Sequence, residues 1–226
     1  GCVAAAMEND ISLIALLAFS TLLPFIIASG TCFVKFSVVF IMMRNALGLQ
    51  QVPSNMVLNG VALMLSAFVM YPVIQQALDY YQNNSVNFRD ADSVSDFVEH
   101  GLGRYREYLS RYSDKDLVAF FEDAQHQRVS WEKASAAEGE QVSILSLLPA
   151  YALSEIKSAF RICFYLYLPF VVVDLVISSV LLALGMMMMS PVTISTPVKL
   201  ILFVAMDGWT LLSRGLVMQY MDLVKG

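Results

Sequence analysis

The sequence predicts an all-α, membrane-associated protein built of apolar helical hairpins with kinked helices and a small polar helical insert. Three observations predict it. The 226-residue chain is 58% hydrophobic and only 15% charged, too apolar for an ordinary soluble domain. No charge occurs between Ile11 and Val34, between Asn45 and Leu78, or between Leu175 and Val198, and each run reaches the ~20 residues that a spanning helix needs. Charge is gathered in the middle instead, where Asp79 to Ser143 holds 13 of the 19 acids and 7 of the 14 bases.

The elements follow in order. Residues 1–6, GCVAAA, read as an extension ahead of Met7, with no cleaved leader evident. The acids Glu8 and Asp10 flank the first apolar run, whereas a secretory signal opens with positive charge, so the run reads as a retained helix. Residues 7–78 form an N-terminal hairpin. Its first segment, Ile11 to about Met43, is interrupted by Pro24 and Gly30 and is expected to kink or split. Its second, about Ser54 to Ala77, follows a turn marked by Gly48 and Pro53, with Ser54 or Asn55 as cap and a kink at Pro72.

Residues 79–143 form the polar, extracytoplasmic insert. SVSDFVEHG predicts a short helix ending at Gly101, and Tyr105, Tyr108, Leu109 and Tyr112 recur at helical spacing. A third helix opens at Ser113, three residues before Asp116, with Leu117, Phe120 and Phe121 on its apolar side. VSWEKASAAEGEQ reads as a flexible link.

Residues 144–226 form a C-terminal apolar block. Pro149, Pro169, Pro191 and Pro197 predict its division into helices near 150–168, 170–189 and 198–222, with Gly208 and Gly215 permitting close helix approach. Arg44 in one turn and Lys199 after the Pro191–Pro197 turn place both turns in the cytoplasm, and the insert and both termini outside.

Several charges sit badly with lipid, where each costs at least ~2.5 kcal/mol. Arg44, Lys199 and Arg214 are expected at the water boundary. Glu155 and Asp174 are expected to be buried and paired, because short carboxylates reach water poorly. Neither has a cation three or four residues away. Lys199 is a candidate partner for Glu155, and Lys35 for Asp174. Ser154, Lys157, Ser158 and Arg161 share one helix face. Pairing of this kind suits helices packed against other protein, and it also suits a proton relay.

Catalysis finds no support. The chain has no P-loop, dinucleotide turn, H-E-x-x-H or G-x-S-x-G, and its two histidines, His100 and His126, lie in the insert. Cys2, Cys32 and Cys163 are scattered and suggest neither a disulfide framework nor a metal knuckle. A net charge of −5 argues against nucleic acid. No cofactor or metal is expected.

The stretch GMMMMSP, with Met186, Met187, Met188 and Met189 ahead of Pro191, admits two readings. Methionine fills irregular gaps in a core. Placed where a helix ends, with Met188 and Met189 in the last turn, the same soft side chains would also close a narrow passage.

LLPAYALSEIKSAFRICFYLYLPFVVVDLV and GMMMMSPVTISTPVKLILFVAMDGW resemble the two signature regions of the FliP/SctR family, export-apparatus proteins of flagellar and virulence type III secretion systems. GTCFVKFSVVFIMMRNALGLQQVPSNMVLNGVAL is similar to that family's N-terminal hairpin, and RNALGLQQVPSN to its injectisome, SpaP-like branch. The resemblance covers about Asn9 to Asp222, most loosely in the insert. It implies a ring of several copies, pentameric in the family, in the bacterial inner membrane, with much of the complex raised to the periplasmic side. It implies SctS-like and SctT-like gate subunits as partners, with export ATPase-linked cytoplasmic components, needle or rod proteins, unfolded secreted polypeptides and membrane lipid. It carries to Met186–Met189 the role of a gasket around a closed pore, and it frames Glu155–Lys199 as a contact between subunits. The rival readings are an ion-coupled transporter or channel using Asp174, Glu155 and Lys35, and a scaffold in which the methionines are core.

Overall fold

The computed structural model describes residues 1–86, 90–131 and 143–224. It is 85% helical, with no strand among the described residues. The helices are α1 (Cys2–Gly30), α2 (Phe33–Ala46), α3 (Asn55–Asn83), α4 (Ala91–Asp96, continued by a π turn Phe97–Gly101), α5 (Gly103–Tyr112), α6 (Lys115–Trp131), α7 (Ile144–Ala183), α8 (Pro191–Ala205), α9 (Gly208–Met218) and α10 (Met221–Val224). Helices α1, α3 and α7 are long and apolar enough to cross a membrane; α8 and α9, bent by 59°, would make a fourth span taken together.

The first segment splits where glycine ends it. Helix α1 runs through Pro24 and stops at Gly30, and Thr31 is extended. Gly30 is required there because the Tyr105 hydroxyl donates to its carbonyl at 2.7 Å and would lie 2.3 Å from any Cβ. Helix α3 starts under Ser54, whose Oγ accepts from the Val57 amide, and carries on through Pro72 to Asn83, beyond the expected end at Ala77.

The C-terminal block departs further from expectation. The helices predicted at 150–168 and 170–189 are one 40-residue helix, α7, which contains both Pro149 and Pro169. A proline deletes one hydrogen bond, but in apolar surroundings no water competes for the neighbouring amides, so the helix continues. At ~1.5 Å per residue α7 is ~60 Å long, twice the hydrocarbon thickness of a bilayer. It ends at Ala183, short of the methionines. Pro191 then opens α8 at its first position, where its missing N–H is no loss, so 191–197 is helix rather than turn. The third predicted helix breaks at Asp207, which is left-handed at φ 51°. Gly208 follows because a Cβ there would meet the Phe203 ring at 2.2 Å; Gly215 has nothing within 4 Å.

The chain forms two compact units, Gly1–Cys32 with Met70–Glu155, and Phe33–Val69 with Ile156–Lys225; α3 and α7 contribute to both. In the first, the insert helices pack on α3. The Arg104 amide donates to Gln76 Oε1 at 2.7 Å, and Tyr80 packs on Phe97 and stacks on His100. The tyrosine stripe of α5 turns inward as its spacing predicts, with Tyr105, Tyr108 and Leu109 buried. Helix α6 opens under Asp114, whose carboxylate accepts from the Asp116 amide, whereas Ser113, the expected cap, bonds to the Leu109 carbonyl instead. Phe120 on α6 is exposed. Most of the expected flexible link, residues 132–142, lies outside the described residues. In the second unit Met43, Ala46, Leu47, Phe170 and Phe203 form the core, and Trp209 packs edge-on against Phe40 and Phe203.

Candidate functional site

The methionine run occupies the turn between α7 and α8, built by two residues at its ends. After Ala183 the chain leaves the helix through Gly185 at φ 74°. The Met186 amide bonds to the Leu181 carbonyl at 2.9 Å and the Gly185 amide to Leu182 at 3.1 Å, the paired bonds of a glycine C-cap. Pro191 restarts helix at the far end. Between them Met186, Met187, Met188 and Met189 are all exposed, Met187 by 80% and Met188 fully. The expectation that Met188 and Met189 complete a helical turn is therefore corrected: glycine ends α7 six residues earlier. Among the described residues the four thioethers fill no core.

The helices on either side of this turn are joined by charge. Lys199 Nζ on α8 donates to Asp174 Oδ2 on α7 at 2.7 Å; the lysine is buried and the aspartate side chain 44% exposed. Lys199, expected at the water boundary, is thus packed against its own chain beside a half-exposed carboxylate. Arg44 is buried too, with Nη1 donating to the Pro53 carbonyl at 3.0 Å and to Asn55 Oδ1 at 2.6 Å. Arg214 is exposed. Lys35 does not pair with Asp174. It donates to Gln219 Oε1 at 3.0 Å and lies over the Tyr220 ring.

Glu155 is 2% exposed and accepts a hydrogen bond from the Tyr151 hydroxyl at 3.3 Å. Tyr151 in turn bonds the Tyr108 hydroxyl of the insert. Burial first, then the neighbouring Cys32 and Glu155, hold the Tyr108 phenol well above its ordinary pKa, so it stays a neutral donor. Ser154 accepts from the Asp114 amide at 2.7 Å, a second tie between insert and α7. Lys157 and Arg161, the other residues of that face, are exposed.

Sequence reasoning missed Gly185, Gln219 and Tyr151 as the residues that shape these contacts. A glycine just past a helical run and a tyrosine one turn before Glu155 were legible signals; nothing in the sequence pointed to Gln219. Among the described residues Asp96, Glu99 and His100 form a trio with ligand atoms within 4.8 Å, but all three are exposed. Cys2, Cys32 and Cys163 are free thiols.

Known proteins are similar to this chain in sequence. The sequence profile of the FliP family matches residues 16–216. The surface presentation of antigens protein SpaP of Salmonella typhimurium is 69% identical over 222 residues, covering 96% of this chain and 99% of its own length. The Yop proteins translocation protein R of Yersinia pestis is 49% identical over 95% of this chain and 98% of its own. The harpin secretion protein HrcR of Erwinia amylovora is 37% identical over 89% and 92%. The chain belongs to the FliP family, the type III secretion export-apparatus family that its signature stretches resemble.

Proposed function

We propose that this chain is a core subunit of a type III secretion export gate, and that it forms, with copies of itself and with SctS-like and SctT-like subunits, a pore through which unfolded polypeptides pass. The observation that carries this reading is the exposed methionine turn. Four unbranched apolar side chains stand in the open on a backbone held by Gly185 and Pro191, between helices tied by Lys199 and Asp174. Exposed thioethers from several chains would meet as a soft plug: apolar enough to exclude ions and water, deformable enough to yield to a polypeptide. Energy and substrates come from other components, the export ATPase-linked gate proteins on one side and the needle or rod on the other. The chain itself performs no catalysis. It sits in the inner membrane, with the insert and much of the assembly on the periplasmic side.

The charges fit an assembled state. Lys199 and Asp174 join helices within the subunit, and in this reading exposed Lys157 and Arg161 would meet neighbouring chains. Lys199 already holds Asp174, so a contact between Glu155 and a neighbour's Lys199 would have to share that lysine. Asp174 bonds to Lys199, whereas Glu155 accepts from Tyr151 and Lys35 donates to Gln219, so these bonds do not join the three charges to one another.

The test replaces Met187, Met188 and Met189 together by alanine in the assembled system. A gate leaks small ions across the membrane while secretion persists. If the membrane stays tight and the complex simply fails to assemble, the methionines are packing and the scaffold reading replaces this one.

A further inference from the structure

We propose that the methionine turn between α7 and α8 is an oxidation site: a peroxide converts its thioethers to sulfoxides, and the added polarity loosens the seal. The inference rests on the proposed gate and names a way in which that seal is regulated. Met186, Met187, Met188 and Met189 are all exposed, Met188 fully, in a turn whose side chains from Leu184 to Ser190 are all open. A thioether has no proton to lose, so its exposure, rather than a titrating neighbour, governs its attack by oxidant. The other exposed methionines, Met7, Met56, Met64, Met206 and Met218, stand singly, and Met43 and Met70 are buried. No other stretch of the chain holds four methionines together. A plug of these side chains would meet water on both faces of the passage it closes, and hydrogen peroxide is little larger than water.

The step balances with hydrogen peroxide as oxidant. The sulfur lone pair attacks one peroxide oxygen, and the S–O bond forms as the O–O bond breaks. The proton on the transferred oxygen passes to the departing hydroxide, which leaves as water. Sulfur gives up two electrons and the peroxide takes them. The product is a polar, chiral sulfoxide in place of a flexible apolar thioether. Its oxygen demands a hydrogen bond that a dry plug of thioethers does not supply and water does, so oxidation favours the wetted passage. The backbone of the turn is set by Gly185 and Pro191 rather than by the methionines, so the change is confined to side chains. The reverse step takes two thiols per sulfoxide and yields the thioether, a disulfide and water, the reaction of methionine sulfoxide reductases.

The test assembles the full chain with its partner subunits in proteoliposomes. Ion leak is read before and after hydrogen peroxide, and the same sample is mapped by peptide mass. Sulfoxide is expected in the turn while Met43 and Met70 stay reduced. The leak should rise about ten-fold, the factor that one polar group left without a hydrogen bond is worth. It should return to its starting value on treatment with a dithiol and sulfoxide reductases specific for the two epimers. Leucine at all four positions (Met186→Leu, Met187→Leu, Met188→Leu and Met189→Leu) should remove the response, read as the ratio of leak after oxidant to leak before it, whatever the variant's resting leak. Met188→Gln, polar and of similar size, should leak without oxidant. Turn methionines oxidised no faster than Met43 and Met70 overturn the site. Sulfoxide in the turn with an unchanged leak, a response that survives the leucines, or a Met188→Gln gate as tight as the parent overturns the switch. The triple alanine replacement, which needs no oxidant, separates failure of the seal itself from failure of this inference.

Discussion

The turn after α2 and the turn after α7 leave their helices by the same backbone device. Gly48 lies at φ 82° and Gly185 at φ 74°. The Leu49 amide bonds to the Arg44 carbonyl and the Gly48 amide to Asn45, as Met186 bonds to Leu181 and Gly185 to Leu182. Their side chains are used in opposite ways. In the first turn Leu47 is buried, Arg44 ties the end of α2 to Pro53 and Asn55, and Gly48 packs against Thr196 of α8. In the second, every side chain from Leu184 to Ser190 is exposed, although Leu184 and the methionines are apolar. The first turn is held by its own chain. The second carries apolar surface that the rest of the described chain does not cover, the kind of exposed patch that interaction sites have.

Substitutions can break this contrast in graded steps. Arg44→Ala should be the most damaging, because it removes a buried side chain together with its charge-assisted bonds to the Pro53 carbonyl and to the side-chain oxygens of Asn55 and Asn45. A loss of about 3 kcal/mol is expected, lowering the melting temperature of the solubilised protein by about 6–12 °C. Gly48→Ala should cost about 2 kcal/mol: the left-handed backbone disfavours a side chain, and the new Cβ would lie 2.5 Å from Thr196 Oγ1. Gly185→Ala meets no neighbour within 4 Å, so only the backbone term remains, about 1 kcal/mol in the same thermal assay. Equal effects at the two glycines would remove the distinction between a packed and an unpacked turn.

Thr196 offers the opposite sign. Its hydroxyl is buried without a hydrogen-bond partner among the described residues. Thr196→Val should therefore raise stability by about 1 kcal/mol, seen as a higher melting temperature. Smallest of all, the triple alanine replacement of Met187, Met188 and Met189 should change the stability of the isolated chain by less than about 0.5 kcal/mol, because these side chains contact solvent rather than core. On the proposed function its effect falls on the assembled gate, where ion leakage is the measurement. A large loss of stability in the isolated chain would show that the second turn is packed after all.

Much of this was legible in the residues. Long uncharged runs announce helices because a backbone in lipid must satisfy its own hydrogen bonds. The tyrosine spacing of α5, the cap at Ser54 and the break at Gly30 are local patterns whose cause lies within a few residues. The prolines misled for the converse reason. Pro149 and Pro169 are weak breakers in an apolar setting, where the rest of α7 keeps its bonds, and the break came from Gly185, whose left-handed backbone actively turns the chain.

Composition and spacing alone determined the helical class, the polar insert and the exceptional character of the methionine stretch, since these follow from chain-local chemistry. Which charge meets which was decided only in three dimensions. Lys199 finds Asp174 across 25 residues, Lys35 finds Gln219 across 184, and Tyr108 reaches Tyr151 across 43. No periodicity encodes such pairs. They form because a buried polar group costs free energy until it is satisfied, and the partner is whichever group the packing of distant helices brings within reach.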